Sequence, residues 1–213
     1  MLGFGRIFSW GVLGLSFLPA AFLIAAPDPP DPSARLERSV QIVLDMLYPE
    51  PANQTELSTI ELEKAILTEL SADYNLDIII RRSLGRNWNK TNPEHRLRIF
   101  ELIKQLVVRA YVDGMRGQSR PSVQFETTVF LSDKRSEVAT QVDFDEFQVS
   151  LNYRFGLIEG KWEIFDLVIE GISIVLNYRN QFDAFFNNND SLALIQKLES
   201  LLTDENLGKA LHF

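Results

Sequence analysis

Between Ser122 and Ile169 the hydrophobic period is two, and this constrains the fold more than anything else in the chain. In "FQVSLNYRFGLI" Val149, Leu151, Tyr153, Phe155 and Leu157 share one side, while Gln148, Ser150, Asn152 and Arg154 share the other. Such alternation predicts a strand with one face against a core. "SVQFETTVFL" and "SEVATQVDF" alternate likewise, joined at the turn "SDKR". "EGK", Glu159 to Lys161, turns tightly into "KWEIFDLVIEG". There Phe165, Leu167 and Ile169 point one way and Trp162, Ile164 and Val168 the other, so this strand is expected to be covered on both sides. Short turns between neighbours predict an antiparallel meander of four strands.

On either side of this block the period is helical. Leu36, Val40, Val43, Leu44 and Leu47 form one stripe, closed by Pro49 and Pro51. A second helix is predicted from Ser58 to Asp73, with Ile60, Ile66, Leu67 and Leu70 inward. "NLDIIIRRSLGRNW" predicts a short helix with Ile79, Ile80 and Leu84 inward, Arg81 and Arg82 outward, Ser83 on the surface and Gly85 as its C-terminal cap. Asn92 caps a long helix with Pro93 in its first turn and a stripe of Phe100, Ile103, Val107, Tyr111 and Met115. After Gly171 a stripe of Ile172, Val175, Tyr178, Phe182 and Phe185 continues as a helix. Asp190 then caps a last one through Leu194, Ile195, Leu198 and Leu201. Helices, then a meander, then helices predict an α+β domain with helices packed on one curved antiparallel sheet.

The N-terminus is of another kind. Arg6 is the only charge before "IFSWGVLGLSFLPAAFLIAA", so residues 1–26 are expected to be a secretory signal, with a retained membrane anchor as the alternative. Ala26 is followed by Pro27, a poor site for cleavage. Residues 27–33, "PDPPDPS", form a stiff Pro-rich spacer, and 34–213 a single domain. The absence of cysteine rules out disulfides, thiolate metal sites and a cysteine nucleophile. A net charge of −8 argues against nucleic acid as a partner and against electrostatic adsorption to an anionic membrane.

Candidate chemistry is sparse. His95 and His212 are the only histidines and neither has a second ligand at metal spacing, so no metal site is expected. No Ser-His-Asp set and no phosphate-cradling glycine loop can be assembled. Asp166 and Glu170 share one parity of the last strand. Asp166 in an apolar pocket could act as a general base, but a structural pairing with an arginine such as Arg179 is the simpler expectation.

The segments "NLDIIIRRSLGRNW", "FELIKQLVVRAYVDGM" and above all "FDLVIEGISIVLNYRNQF", Phe165 to Phe182, resemble the MlaC family of periplasmic phospholipid-shuttle proteins, over about Leu36 to Leu202. The resemblance implies a nuclear-transport-factor-like cone with a deep apolar cavity for acyl chains, no catalytic cofactor, and phospholipid as cargo. It also implies two partners: an outer-membrane lipoprotein-porin complex, and an inner-membrane ABC transporter bearing a ring of MCE-domain subunits. Carried onto this chain, the cavity would be lined from Leu84, Trp88, Phe100, Ile103, Val107 and Tyr111, from the sheet residues Val149, Leu151, Tyr153, Phe155, Phe165, Leu167 and Ile169, and from Val175, Tyr178 and Phe182. The expected function is that of a periplasmic lipid carrier, free or membrane-tethered. A small periplasmic enzyme on the same cone, or an interaction domain whose apolar faces are filled by its own side chains, are the alternatives.

Overall fold

The computed structural model describes residues 29–50 and 57–203; the signal segment, Pro51 and His212 lie outside that range. Each helix begins where its sequence provides a cap. Asp31 accepts from the Ser33 amide at 2.8 Å to start α1, Pro32–Leu47. Pro32 and Ser33, expected in the spacer, are therefore the first turn of a helix, because proline is well suited to that position. Ser58 and Glu61 form a reciprocal capping box for α2, Thr59–Asp73. Asn75 caps α3, Leu76–Leu84, which ends at Gly85 with φ +54° and runs into a short 3-10 turn, Gly85–Asn89. Asn92 caps α4, Pro93–Met115.

The sheet comprises β1 (Ser122–Phe125), β2 (Val129–Ser132), β3 (Arg135–Asp143), β4 (Gln148–Ile158), β5 (Lys161–Ile169) and β6 (Ile172–Ser173). All pairings are antiparallel: β1 and β2 lie one after the other beside β3, followed by β4, β5 and β6. Six strands thus stand where four were expected. The first expected strand is interrupted at Glu126–Thr128, where the Thr128 hydroxyl turns to donate to the Asp31 cap at 2.5 Å. The last gains a two-residue partner, because Glu170 and Gly171, with φ of 48° and 78°, fold Ile172 and Ser173 back onto Val168 and Ile169. The helix expected from Ile172 consequently starts as α5 at Ile174–Phe185, capped by Ser173. Asp190 accepts from the amides of Leu192 and Ala193 to start α6, Ser191–Thr203.

Three buried clusters hold these elements. Leu84, Leu102, Leu106, Phe182, Leu194 and Leu198 join α3 to α6. Val43, Ile66, Val108 and Val112 join α1, α2 and α4. Leu36, Tyr74, Val138, Phe155, Trp162 and Ile164 bind α1 and the start of α3 to one face of the sheet, called here the inner face. Ile60, expected inward on α2, stands largely in solvent.

Candidate functional site

Cross-strand register assigns the faces. Inward rows are Thr140–Leu151–Ile169, Val138–Tyr153–Leu167 and Ser136–Phe155–Ile164. Between Arg154 and Phe155 the β4–β5 register shifts, leaving Phe165 without a partner. This bulge reverses the expected alternation of β5. Trp162 and Ile164 join the inner face with Phe155, and Phe165 falls on the outer one, against the guanidiniums of Arg82 and Arg135. The expectation that Phe165 shares a face with Leu151 and Tyr153 is thereby corrected.

One end of the inner face is filled. Phe155 has no accessible surface and its ring lies 6.5 Å from that of Tyr74. Toward the other end Val149, Leu151, Tyr153 and Leu167 all keep accessible surface, and Ile169 keeps more.

Helix α4 shows the same pattern. Its polar side carries Arg98, Glu101 and Gln105, all exposed. At 3.6 residues per turn, Ile103, Val107 and Tyr111 lie diametrically opposite that side. Tyr111 lies close enough to Tyr153 of β4 for the two hydroxyls to interact, so this end of the stripe turns toward the sheet. Val107 is nevertheless 51% and Tyr111 41% exposed, against 1% for Leu106 of the α3–α6 cluster.

The tyrosine hydroxyls point to the same conclusion. Burial, and then the neighbouring Tyr48, push the Tyr111 hydroxyl up to about 12. Burial, with Tyr111 and Tyr74 nearby, raises that of Tyr153 as well. The hydroxyls of Tyr111 and Tyr153 are thus close enough to influence one another, which brings this end of α4 to the inner face of β4. The carbon left accessible there belongs to α4 and to β4 and β5. A space lined by aliphatic and aromatic carbon with a few hydroxyls suits an apolar ligand.

Of the residues expected to line a cavity, Val107, Tyr111 and Ile169 are exposed and Val149 and Leu151 half-buried, while Ile103 packs against the α3–α6 cluster and Tyr153 and Leu167 against the inner-face cluster. Leu84, Phe100 and Phe182 are buried in the α3–α6 cluster, with Trp88 and Tyr178 on its flank. Trp88 stacks on Phe100 at 5.2 Å and is overlaid by Arg96 at 4.4 Å. Val175 and Phe155 are fully packed. Tyr48 and Tyr74 were not anticipated; each sits one residue past a helix end, where an apolar stripe offers no signal.

The middle of the outer face, around Arg154, is ionic and satisfied. Arg154 bridges Glu137 at 3.0 Å and Asp166 at 3.3 Å. Asp166, 6% exposed, also accepts from the Ser173 hydroxyl at 2.8 Å and the Val175 amide at 3.1 Å, so it anchors the start of α5. Its arginine is Arg154, not Arg179, which instead donates to the Arg82 carbonyl at 3.0 and 2.6 Å. Glu170 accepts from the Ser150 amide. Ser83, expected on the surface, is buried and donates to the Ile79 carbonyl. The ring of His95 meets the Ser191 hydroxyl at 2.9 Å, which ties α4 to α6. Among the described residues no group of three or more acidic, histidine or cysteine side chains could hold a metal. None of their helices is long and apolar enough to cross a membrane.

Comparison with known proteins agrees with this architecture. The chain is 22% identical over 197 residues to the intermembrane phospholipid transport system binding protein MlaC of Haemophilus influenzae, covering 87% of this chain and 89% of that one. Its fold matches the crystal structure of a phospholipid-binding protein from Ralstonia solanacearum in complex with a phospholipid. The TM-score is 0.66 at 20% identity, over 80% of this chain and 96% of the other. The family model for MlaC protein matches residues 38–200, and the chain belongs to that family.

Proposed function

We propose that this protein is a phospholipid carrier that holds acyl chains between α4 and the inner face of β4 and β5. The reading is supported above all by the apolar stripe of α4, where Val107 and Tyr111 keep much of their surface open although Tyr111 lies beside Tyr153 of β4. Moving a diacyl lipid through water requires hiding about thirty methylenes at ~0.8 kcal/mol each, on the order of 20 kcal/mol in all. An unfilled apolar space meets that requirement with no bond made or broken. Asp166, the carboxylate weighed as a general base, is committed to the start of α5. The relative from Haemophilus influenzae is named for intermembrane transport and the Ralstonia solanacearum protein holds a phospholipid, which supports the same assignment here.

On this reading the chain is exported to the periplasm by its N-terminal segment. It exchanges lipid with a lipoprotein-porin complex of the outer membrane and with an ABC transporter of the inner membrane bearing an MCE-domain ring. Release occurs when a partner accepts the chains. The test is native mass spectrometry of protein purified without detergent. A mass increment of one or more diacyl phospholipids is expected. Folded, lipid-free protein that takes up nothing from vesicles would overturn the proposal.

A further inference from the structure

The outer face carries a second site, separate from the apolar space. Among the described residues Arg82 and Arg135 have no carboxylate within ion-pairing distance, although the chain holds 29 acidic residues. Both guanidiniums lie over the Phe165 ring, at 4.7 and 4.4 Å from its centroid. The backbone is shaped for this arrangement. A Cβ on Gly156 would come within 2.8 Å of Arg135 Nη1 and 3.5 Å of the Phe165 ring, so only glycine lets the guanidinium lie there. Burial and then repulsion from Arg135 and Arg179 weaken the proton affinity of Arg82, only partly offset by Asp166 farther off, and an incoming anion would relieve the remainder.

At Arg135 and Phe165 opens a cavity of about 320 Å³, lined also by Leu131, Ser132, Ser136, Glu137 and Arg154, with Arg82 outside it over the Phe165 ring. Leu131 belongs to β2, which among the described residues pairs only with β3. All four residues of β2 are exposed, and Val129, Phe130 and Leu131 each keep more than half of their surface in solvent. An edge strand with consecutive exposed apolar residues and no shielding charge is open to pairing with another chain.

We propose that the free edge of β2, the adjoining cavity at Arg135 and Phe165, and Arg82 over the same ring form a docking surface for an extended acidic segment of a partner protein. The segment adds as a strand beside β2, through main-chain hydrogen bonds. Its apolar side chains cover Val129 and Leu131, and a carboxylate reaches the two guanidiniums. Charge complementarity selects the occupant, since planar guanidiniums pair bidentately with carboxylates. The surface lies on the opposite side of the sheet from the lipid space, so its occupancy does not depend on cargo.

The experiment places a benzoylphenylalanine photocrosslinker at Leu131 of the full chain in its native cell and maps the adducts by mass spectrometry. The expected product is an adduct to another protein at a segment containing Asp or Glu. Its yield should fall about tenfold or more in the Arg82→Glu, Arg135→Glu double variant and be partly retained in Arg135→Lys. Thermal melting checks folding, and if the double variant does not fold, Arg135→Gln takes its place under the same criteria. Adducts to lipid, adducts to a second copy of this chain, no protein adduct, or a protein adduct whose yield ignores the arginine changes would each overturn the proposal.

Discussion

The two faces of the sheet are built from alternate residues of the same strands, yet they behave as different materials. Outward, every buried charge is matched: Arg154 is held by Glu137 and Asp166, and Asp166 by Ser173 and Val175 as well. Inward at the β4–β5 end, carbon is left uncovered from Val149 to Tyr153 and across to Ile169. Unpaired buried polar groups are expensive, so the outer face must be exact in geometry. Unfilled apolar space costs packing energy that a ligand can restore, so the inner face can be loose. The contrast separates what holds this fold from what serves its function.

The largest expected effect breaks the inner face into its own two halves. Phe155→Ala, at the filled end, should destabilise the protein by about 3–5 kcal/mol in urea denaturation. Leu151→Ala, four residues along the same strand, should cost less than about 1 kcal/mol, since no packed neighbour collapses onto it. Equal losses would mean that this face is uniform core. Next in size is the outer face. Asp166→Asn removes a charge that three donors share and should lower stability by about 1–3 kcal/mol, with lipid content per folded molecule unchanged. Lipid lost in step with stability would tie the two faces together and undo the comparison.

A smaller effect concerns alkaline pH. The hydroxyl of Tyr111 is raised in the folded state, so its contribution to stability is full below the unfolded value of about 10 and is lost as pH rises through about 12. Near-ultraviolet titration of the folded protein should show tyrosinate forming at this site well above the ordinary range. Tyr111→Phe should remove that late step and flatten the loss of stability above pH ~10. Tyrosines that all titrate together near 10 would place Tyr111 in open water.

Much of this was legible in the residues. The caps at Asn92 and Asp190, the tight turn at Glu159–Gly160 and the period-two block follow from local chemistry, and the structure places them as the patterns indicate. The α4 stripe was readable as apolar, but its state was not. Phe100 is buried and Val107, seven residues on, is open, a difference set by which elements pack opposite rather than by the helix itself. The bulge at Phe165 was invisible because a register shift depends on the neighbouring strand. For the same reason the partner of Asp166 was misassigned. Arg179 and Arg154 are about equally distant from Asp166 along the chain, and only the strand pairing sets Arg154 directly across the ladder. Ser83 follows two arginines, Arg81 and Arg82, and gave no hint that α3 turns it inward.

The measurement that tests the central claim most directly is thermal melting of Leu151→Trp beside quantitation of its bound lipid. If the space between α4 and β4 is reserved for acyl chains, the indole occupies part of it. The lipid-free protein should then melt at or above the wild-type temperature, while bound phospholipid per folded molecule falls. If the same change lowers stability by the ~1–3 kcal/mol of an overpacked core and leaves lipid content untouched, the inner face is ordinary core and the carrier account is wrong.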